Sequence, residues 1–287
     1  MTRVAVITIA HGRHDHWALQ EAALARSERR PDERILVTMD DPALASAARA
    51  RGDVRVVETS GDERGLPLAR ARNLGVEAAL DAGADVLVLL DVDCLPAPGL
   101  VGAYARAAAA PETRESLLSG PVTYLDPAPP EGYELDRLPS LDRPHPARPA
   151  PAPGETLLGG SHDLFWSLSF ALHADLWRRI GGFHEGYVGY GGEDTDFAWR
   201  ARELGIPMAW IGGARAFHQH HPIEDPPRRH LDAILRNGAL FRGRWGEWPM
   251  RGWLDAFARE GLVERTQSGD YRRSVPPLGF EPRLGGV

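Results

Sequence analysis

The 287-residue chain contains no lysine; all 33 of its basic side chains are arginine. Against them stand 40 acidic residues, giving a formal charge of -7. That leaves no basic stripe to neutralise a phosphate backbone, so nucleic acid is excluded as the main partner. A single cysteine, Cys94, rules out an intrachain disulfide, and nothing points to an oxidising compartment. No apolar run approaches the ~20 residues of a membrane span. The opening stretch MTRVAVITIAHGRHDH is also too short in apolar residues for a secretory signal. The expected location is therefore cytoplasmic with no integral membrane segment, a membrane surface staying open as a place of work. The dinucleotide signature GxGxxG is missing after the first apolar run, which disfavours a nicotinamide or flavin site.

What is present begins with VLVLLDVDC at Val86–Cys94. A continuous apolar run bounded by a turn signal suits a strand buried on both faces of a parallel sheet. Asp91 and Asp93 then fall at the carboxyl end of a central strand, where open α/β sheets bind ligands. Two apart in an extended segment, they would point the same way and share one divalent cation. The bland alternative is a pair of solvated acids ahead of a helix.

Around this stretch the pattern alternates. Strands are predicted at Val4–Ala10, Arg34–Met39 and Val54–Glu58, and helices from Asp15, as N-cap, to about Arg29 and from Leu66 to Ala82. A helix over Pro98–Ala110 and a strand over Leu117–Leu125 follow. Alternating βα units imply a mostly parallel sheet with right-handed crossovers. Residues 121–153 hold ten of the 24 prolines and read as a long irregular loop, either a functional lid or a disordered insertion. Beyond it come a short helix at His173–Ile180, closing strands at Pro207–Ile211 and Ala214–Phe217, and helical patterns at Arg228–Arg244 and Met250–Arg259. The expected organisation is a catalytic domain over 1–222 with the 121–153 insertion, a helical extension over 223–263, and a mobile tail over 264–287.

Two further stretches carry chemistry. Gly186, Gly189, Gly191 and Gly192 surround aromatic residues and lead into Glu193, Asp194 and Asp196, which open a helix. Acids at a helix N-terminus favour its dipole, and Asp196 would face Arg200 one turn on. That explains the acids but not the glycine-aromatic loop presenting them. His218-Gln219-His220-His221 follows the last predicted strand. Imidazole is a common metal ligand near neutral pH. With oxygens from the Asp91–Asp93 pair, one imidazole suits Mn²⁺ or Mg²⁺ better than zinc.

DVD at Asp91–Asp93, GGF at Gly181–Phe183, GYGGEDTDF at Gly189–Phe197, AFHQHHP at Ala216–Pro222 and ARNLG at Ala71–Gly75 stand in an order that resembles the GT-A glycosyltransferases. The chain is most similar to their inverting family-two enzymes and to the catalytic domain of the β-1,4-galactosyltransferases. Tyr190 departs from the galactosyltransferase motif, which has tryptophan there. The resemblance implies a GT-A fold, a Rossmann-like α/β sheet flanked by helices. It implies a nucleotide-diphosphate sugar as donor, UDP-linked foremost, a Mn²⁺ or Mg²⁺ cofactor, and a hydroxyl acceptor on a glycan, a lipid-linked molecule or a small molecule. By the same resemblance Asp93 binds the metal and Asp91 the ribose, sharing the metal. His218 is the metal-binding histidine, with His220 as substitute. Asp194 is the general base, and Glu193 holds substrate hydroxyls. Ala10, His11 and Arg13 surround the nucleotide base, with Asp40 or Asp41 beside them. Arg72 faces the pyrophosphate or the base edge. Val92, Gly191 and Gly192 complete the donor contacts.

A retaining transferase on the same fold stays open. So does a metal-dependent hydrolase built on the Asp91–Asp93 pair and the histidines. A non-catalytic sugar-nucleotide binder is disfavoured, since it has no use for the Glu193-Asp194 pair.

Overall fold

The computed structural model describes residues 2–274 and divides into two units. One comprises the residues up to Gly189 together with Glu193–Pro222; the other comprises Tyr190–Gly192 and the chain from Ile223 onward.

The first unit opens with β1 (Val4–Ala10), α1 (His14–Leu24), β2 (Glu33–Met39), α2 (Pro42–Arg51), β3 (Arg55–Thr59), α3 (Leu68–Asp81) and β4 (Val86–Leu90). These strands pair in parallel in the order β3-β2-β1-β4. β1 and β4 are buried at every position, because apolar clusters cover both faces of the sheet. Helix α3 packs unusually close: a Cβ at Gly75 would lie 2.4 Å from Ile7 Cγ2, so only glycine allows the approach.

Then come β5 (Cys94–Pro96), α4 (Leu100–Ala109), β6 (Leu117–Ser119), β7 (Val122–Tyr124), β8 (Thr156–Leu158), β9 (Ser169–His173), α5 (Ala174–Ile180), α6 (Glu193–Glu203), β10 (Met208–Ile211) and β11 (Ala216–His218). The main sheet reaches eight strands, β3-β2-β1-β4-β9-β6-β10-β8. β9 runs antiparallel to both β4 and β6, and β8 is an antiparallel edge. A second sheet, β5-β11-β7, sets the residues after β4 beside the histidine segment, with His218 opposite Cys94 on one side and Tyr124 on the other.

The second unit holds α7 (Leu231–Trp245), α8 (Arg251–Arg259) and the hairpin β12 (Val263–Arg265)–β13 (Tyr271–Arg273). Leu231, Ile234, Trp248, Leu254, Phe257 and Tyr271 form its core. No helix among the described residues is long and apolar enough to cross a membrane.

The mixed α/β sheet is as the sequence implies; several details differ. Helix α2 is absent from the sequence reading, because its alanine-rich, arginine-dotted run lacks an apolar stripe. Asp15 does not cap α1; the N-cap is Arg13, in the left-handed region at φ 55°. The single strand expected at Leu117–Leu125 is two, in different sheets, parted at Gly120-Pro121. A Cβ at Gly120 would fall 1.7 Å from the Ala214 carbonyl oxygen, so backbone meets backbone there. The Pro-rich stretch carries β7 and a 3-10 turn at Leu135–Leu141. Part of the expected mobile tail is the β12–β13 hairpin; its remainder, 275–287, lies outside the described residues.

Candidate active site

β4 stops at Leu90, and Asp91-Val92-Asp93 forms a turn rather than an extended segment, closed by the Cys94 N–H on the Asp91 carbonyl at 2.8 Å. The turn is held from below. Gln20 of α1, fully buried, donates to the Asp91 and Cys94 carbonyls at 2.7 and 2.9 Å and accepts from Thr8 at 2.9 Å. Val92 packs with Ala10, Trp17, Leu36 and Leu44.

The expected extended segment is thus a turn, and in it the two acids have different partners. Asp91 accepts from Arg72 at 3.1 Å, and the same guanidinium reaches Glu193 at 3.1 Å. Arg72 is 4% exposed, with its charge 5.3 Å over the Phe183 ring. Its two terminal nitrogens each meet a carboxylate, so the guanidinium lies between two acids. Burial weighs against its charge, but Asp91 and Glu193 outweigh it and raise its pKa. Burial lifts Asp91 to about 6 despite Arg72, with Asp93 adding repulsion.

Asp93 turns to the histidines. His218 Nε2 stands 3.5 Å from one of its oxygens; His221 Nε2, at 3.6 Å, and Arg13 Nη1, at 3.7 Å, stand by the other. One ligand atom from each of Asp93, His218 and His221 lies within 4.8 Å of the others. A cation bound at about 2.0–2.2 Å to each atom bridges such spacings. Burial lowers both imidazole pKa values, keeping the rings in the neutral, ligating form. His220 is not in the group: β11 ends at His218, the period of two ends with it, and His220 is exposed. Asp91 is outside it as well. A carboxylate with two imidazoles fits Mn²⁺ or zinc, and fits Mg²⁺ less well than the expected oxygen-rich set.

The Glu193-Asp194 pair opens α6. Asp194 accepts from its neighbour's N–H, that of Thr195, at 2.7 Å. Burial, with Glu193 adding repulsion, lifts its carboxyl to about 7. Asp196 does not face Arg200 as expected. It accepts from Tyr187 at 3.0 Å, while Arg200 pairs with Glu203.

The loop after β1 carries the remaining donor candidates. Ala10 is buried in the sheet. His11 contacts the Met39 carbonyl at 2.7 Å. Asp41 is structural: it caps α2 through the Leu44 N–H at 2.9 Å and accepts from the Gly12 N–H at 2.8 Å. Asp40, at φ 47°, is exposed and accepts from the Gly61 N–H at 2.8 Å. Gly191 and Gly192 belong to the second unit, where Asn237 donates to the Gly191 carbonyl at 3.0 Å.

Two contributors were missed in the sequence. Gln20 sits on the buried helix face between Trp17 and Leu24, and a polar residue at that spacing was the available signal. Asn73 exchanges hydrogen bonds with the Phe183 backbone at 2.9 and 3.0 Å, tying ARNLG to GGF.

Residues 161–222 match the family model described as the N-terminal domain of galactosyltransferase. Two curated relatives are named validoxylamine A glucosyltransferase. The one from Streptomyces hygroscopicus subsp. limoneus is 31% identical over 207 residues, 64% of this chain and 44% of its own length. That from S. hygroscopicus subsp. jinggangensis is 32% identical over 173 residues, 54% of this chain and 40% of its own. The chain thus spans less than half the length of these relatives. Among solved structures, S. aureus TarS (residues 1–349) superposes with a TM-score of 0.54 at 12% identity, covering 83% of this chain and 65% of that one. The fold is of the GT-A type.

Proposed function

We propose that this chain is a metal-dependent glycosyltransferase that moves a sugar from a nucleotide-diphosphate donor, UDP-linked, onto an acceptor hydroxyl with inversion. The observation that carries the reading is the adjacency in one unit of two corners: Asp93, His218 and His221 on one side, and the Arg72-bridged Asp91 and Glu193, next to Asp194, on the other. Asp93, His218 and His221 would hold the cation, which supplies charge neutralisation for the departing diphosphate. Asp194, raised toward neutrality, takes the proton of the attacking hydroxyl. Glu193 stays clamped by Arg72 and fixes the start of α6, which sets the direction of Asp194. Attack on the face opposite the leaving group needs no protein nucleophile. Cys94 offers none, since burial pushes its thiol pKa well up. Arg13, beside Asp93, and His11 border the donor side. The acceptor is a hydroxyl compound rather than nucleic acid, and the expected setting is cytoplasmic.

The donor set of one carboxylate and two imidazoles also favours a second reading, a hydrolase with a metal-activated water. The test is nucleoside diphosphate release from a panel of nucleotide sugars, with and without Mn²⁺, for wild type and Asp93→Ala. Mn²⁺-dependent release from one donor, lost in the variant, supports the transferase. Absence of nucleotide binding and release sinks it and leaves the hydrolase.

A further inference from the structure

Arg148, in the Pro-rich strap that follows β7, carries a charge with no hydrogen-bond or ion-pair partner among the described residues. It is 6% exposed, and none of its three guanidinium nitrogens has a hydrogen-bond partner. No ion pair to a carboxylate is formed by it among the described residues. Its neighbours are aromatic: the guanidinium carbon lies 5.1 Å from the Trp166 ring and 5.1 Å from the Trp210 ring. Two indole faces attract a cation, but they replace neither water nor a counter-charge. A guanidinium kept in this state is a poor choice for structure alone, since an apolar side chain would fill the space between the indoles at lower cost.

Its surroundings point to where the charge is used. Trp166, half-buried, packs edge-on to His145 at 5.0 Å; His145 meets Tyr124 at 5.7 Å; Tyr124 stacks on His218 at 4.6 Å. This row of rings runs from Arg148 to the candidate cation ligands, and Tyr124 at its middle is 45% exposed. The site itself is short of positive charge. Asp91, Asp93, Glu193 and Asp194 outnumber Arg13 and Arg72, and a bound diphosphate adds more negative charge. Asp194 is among the groups that the Arg148 charge acts on. The strap backbone, meanwhile, is pinned on both sides of Arg148. Arg215 pairs with Asp142 at 2.5 Å and donates to the Pro151 carbonyl at 3.2 Å, and the His145 N–H donates to the Val122 carbonyl at 3.0 Å. A change here is therefore a side-chain rotation and not a loop movement.

We propose that Arg148 is a receptor for the donor's diphosphate: its guanidinium rests between Trp166 and Trp210 in the free chain and turns out to take phosphate oxygens when the nucleotide sugar binds. This rests on the glycosyltransferase reading above for the identity of the anion, and it assigns to the strap a role in donor binding.

The experiment measures UDP and uridine binding by calorimetry with Mn²⁺ present, for wild type, Arg148→Met and Arg148→Lys. Thermal melts show that each variant folds; methionine suits a slot between two indoles. Arg148→Met is expected to weaken UDP at least tenfold while leaving uridine within twofold, with Arg148→Lys recovering part of the loss. UDP, and not uridine, should shift the tryptophan emission of the wild type, and Trp166→Phe should remove most of that shift. Unchanged UDP affinity in Arg148→Met overturns the proposal, as does an equal loss for UDP and uridine. Unchanged UDP affinity with a raised KM only for an anionic acceptor reassigns the arginine to the acceptor and overturns it too. Should the wild type bind no nucleotide, the site reading fails separately. Inorganic pyrophosphate with Mn²⁺ then decides Arg148: weaker binding in Arg148→Met supports a diphosphate receptor, and equal binding refutes it.

Discussion

At the corner built on Arg72 the guanidinium and its two carboxylates meet at hydrogen-bond distance, while at the corner built on Asp93 the carboxylate, the arginine and the facing imidazole nitrogens stand farther apart. Arg72 reaches Asp91 and Glu193 at 3.1 Å each. Asp93 has Arg13, His218 and His221 at 3.5–3.7 Å, beyond the ordinary ~2.7–3.2 Å of a hydrogen bond. The first corner is complete as folded and reads as scaffold. In the second, three ligand atoms converge without satisfying one another, the arrangement expected where something else is to be bound. Asp91 and Asp93 are two residues apart, so their difference comes from the turn and not from the motif they share.

The sharpest way to test this division is at the residue next to the scaffold. Asp194→Asn should lower turnover by about 10²–10⁴-fold, the usual contribution of a general base, and leave donor affinity within twofold. A joint loss of turnover and donor binding would move Asp194 into the scaffold. Breaking the scaffold itself should cost stability. Arg72→Met leaves the half-buried Asp91 and the buried Glu193 without their shared counter-charge, and the expected loss is about 3–5 kcal/mol in denaturant unfolding. A loss below about 1 kcal/mol would mean the Arg72 corner is not a clamp. At the other corner, His221→Ala should weaken Mn²⁺ binding about tenfold or more, whereas His220→Ala should leave it nearly unchanged; equal effects would erase the distinction drawn between the two histidines.

A further expected effect is in pH. Turnover should rise with pH through about 7 as Asp194 ionises. Stability should move the opposite way. The unfolded carboxyl releases its proton near 4 and the folded one near 7, so the folded state holds more protons between those values and loses stability as pH rises across them. Thermal midpoints of Asp194→Asn should show a shallower slope, with only the part due to Asp91 left below about pH 6, and a slope identical to wild type would place its source elsewhere.

How much of this was legible in the sequence follows from what each signal depends on. β1 and β4 are apolar runs buried on both faces, so their burial is written residue by residue. The antiparallel insertion of β9 was not readable, because an apolar strand carries no mark of its direction. In ARNLG three residues have duties of their own: Arg72 holds two acids, Asn73 holds the Phe183 backbone, and Gly75 admits β1. The motif announced that something was required there, but the acids that Arg72 meets lie 19 and 121 residues away in the chain, beyond the reach of a local pattern. His221 was missed for a local reason. β11 ends at His218, and the course of the chain beyond it, which sets His221 beside Asp93, is not written in the motif. Arg148 lay in a proline-rich stretch with no periodicity to compare it with.

Gln20 gives the site a mechanical property. One amide bridges α1 to both ends of the acid turn, and Thr8 of β1 holds its other end. Helix, strand and turn therefore behave as one stiff bracket. A push on the loop that begins α1 at Arg13 is passed to Asp93 through a single covalent side chain instead of being absorbed by slack in between. Stiffness of this kind costs the chain adaptability: the backbone of the acid turn cannot shift without straining the bonds that tie it to the first helix.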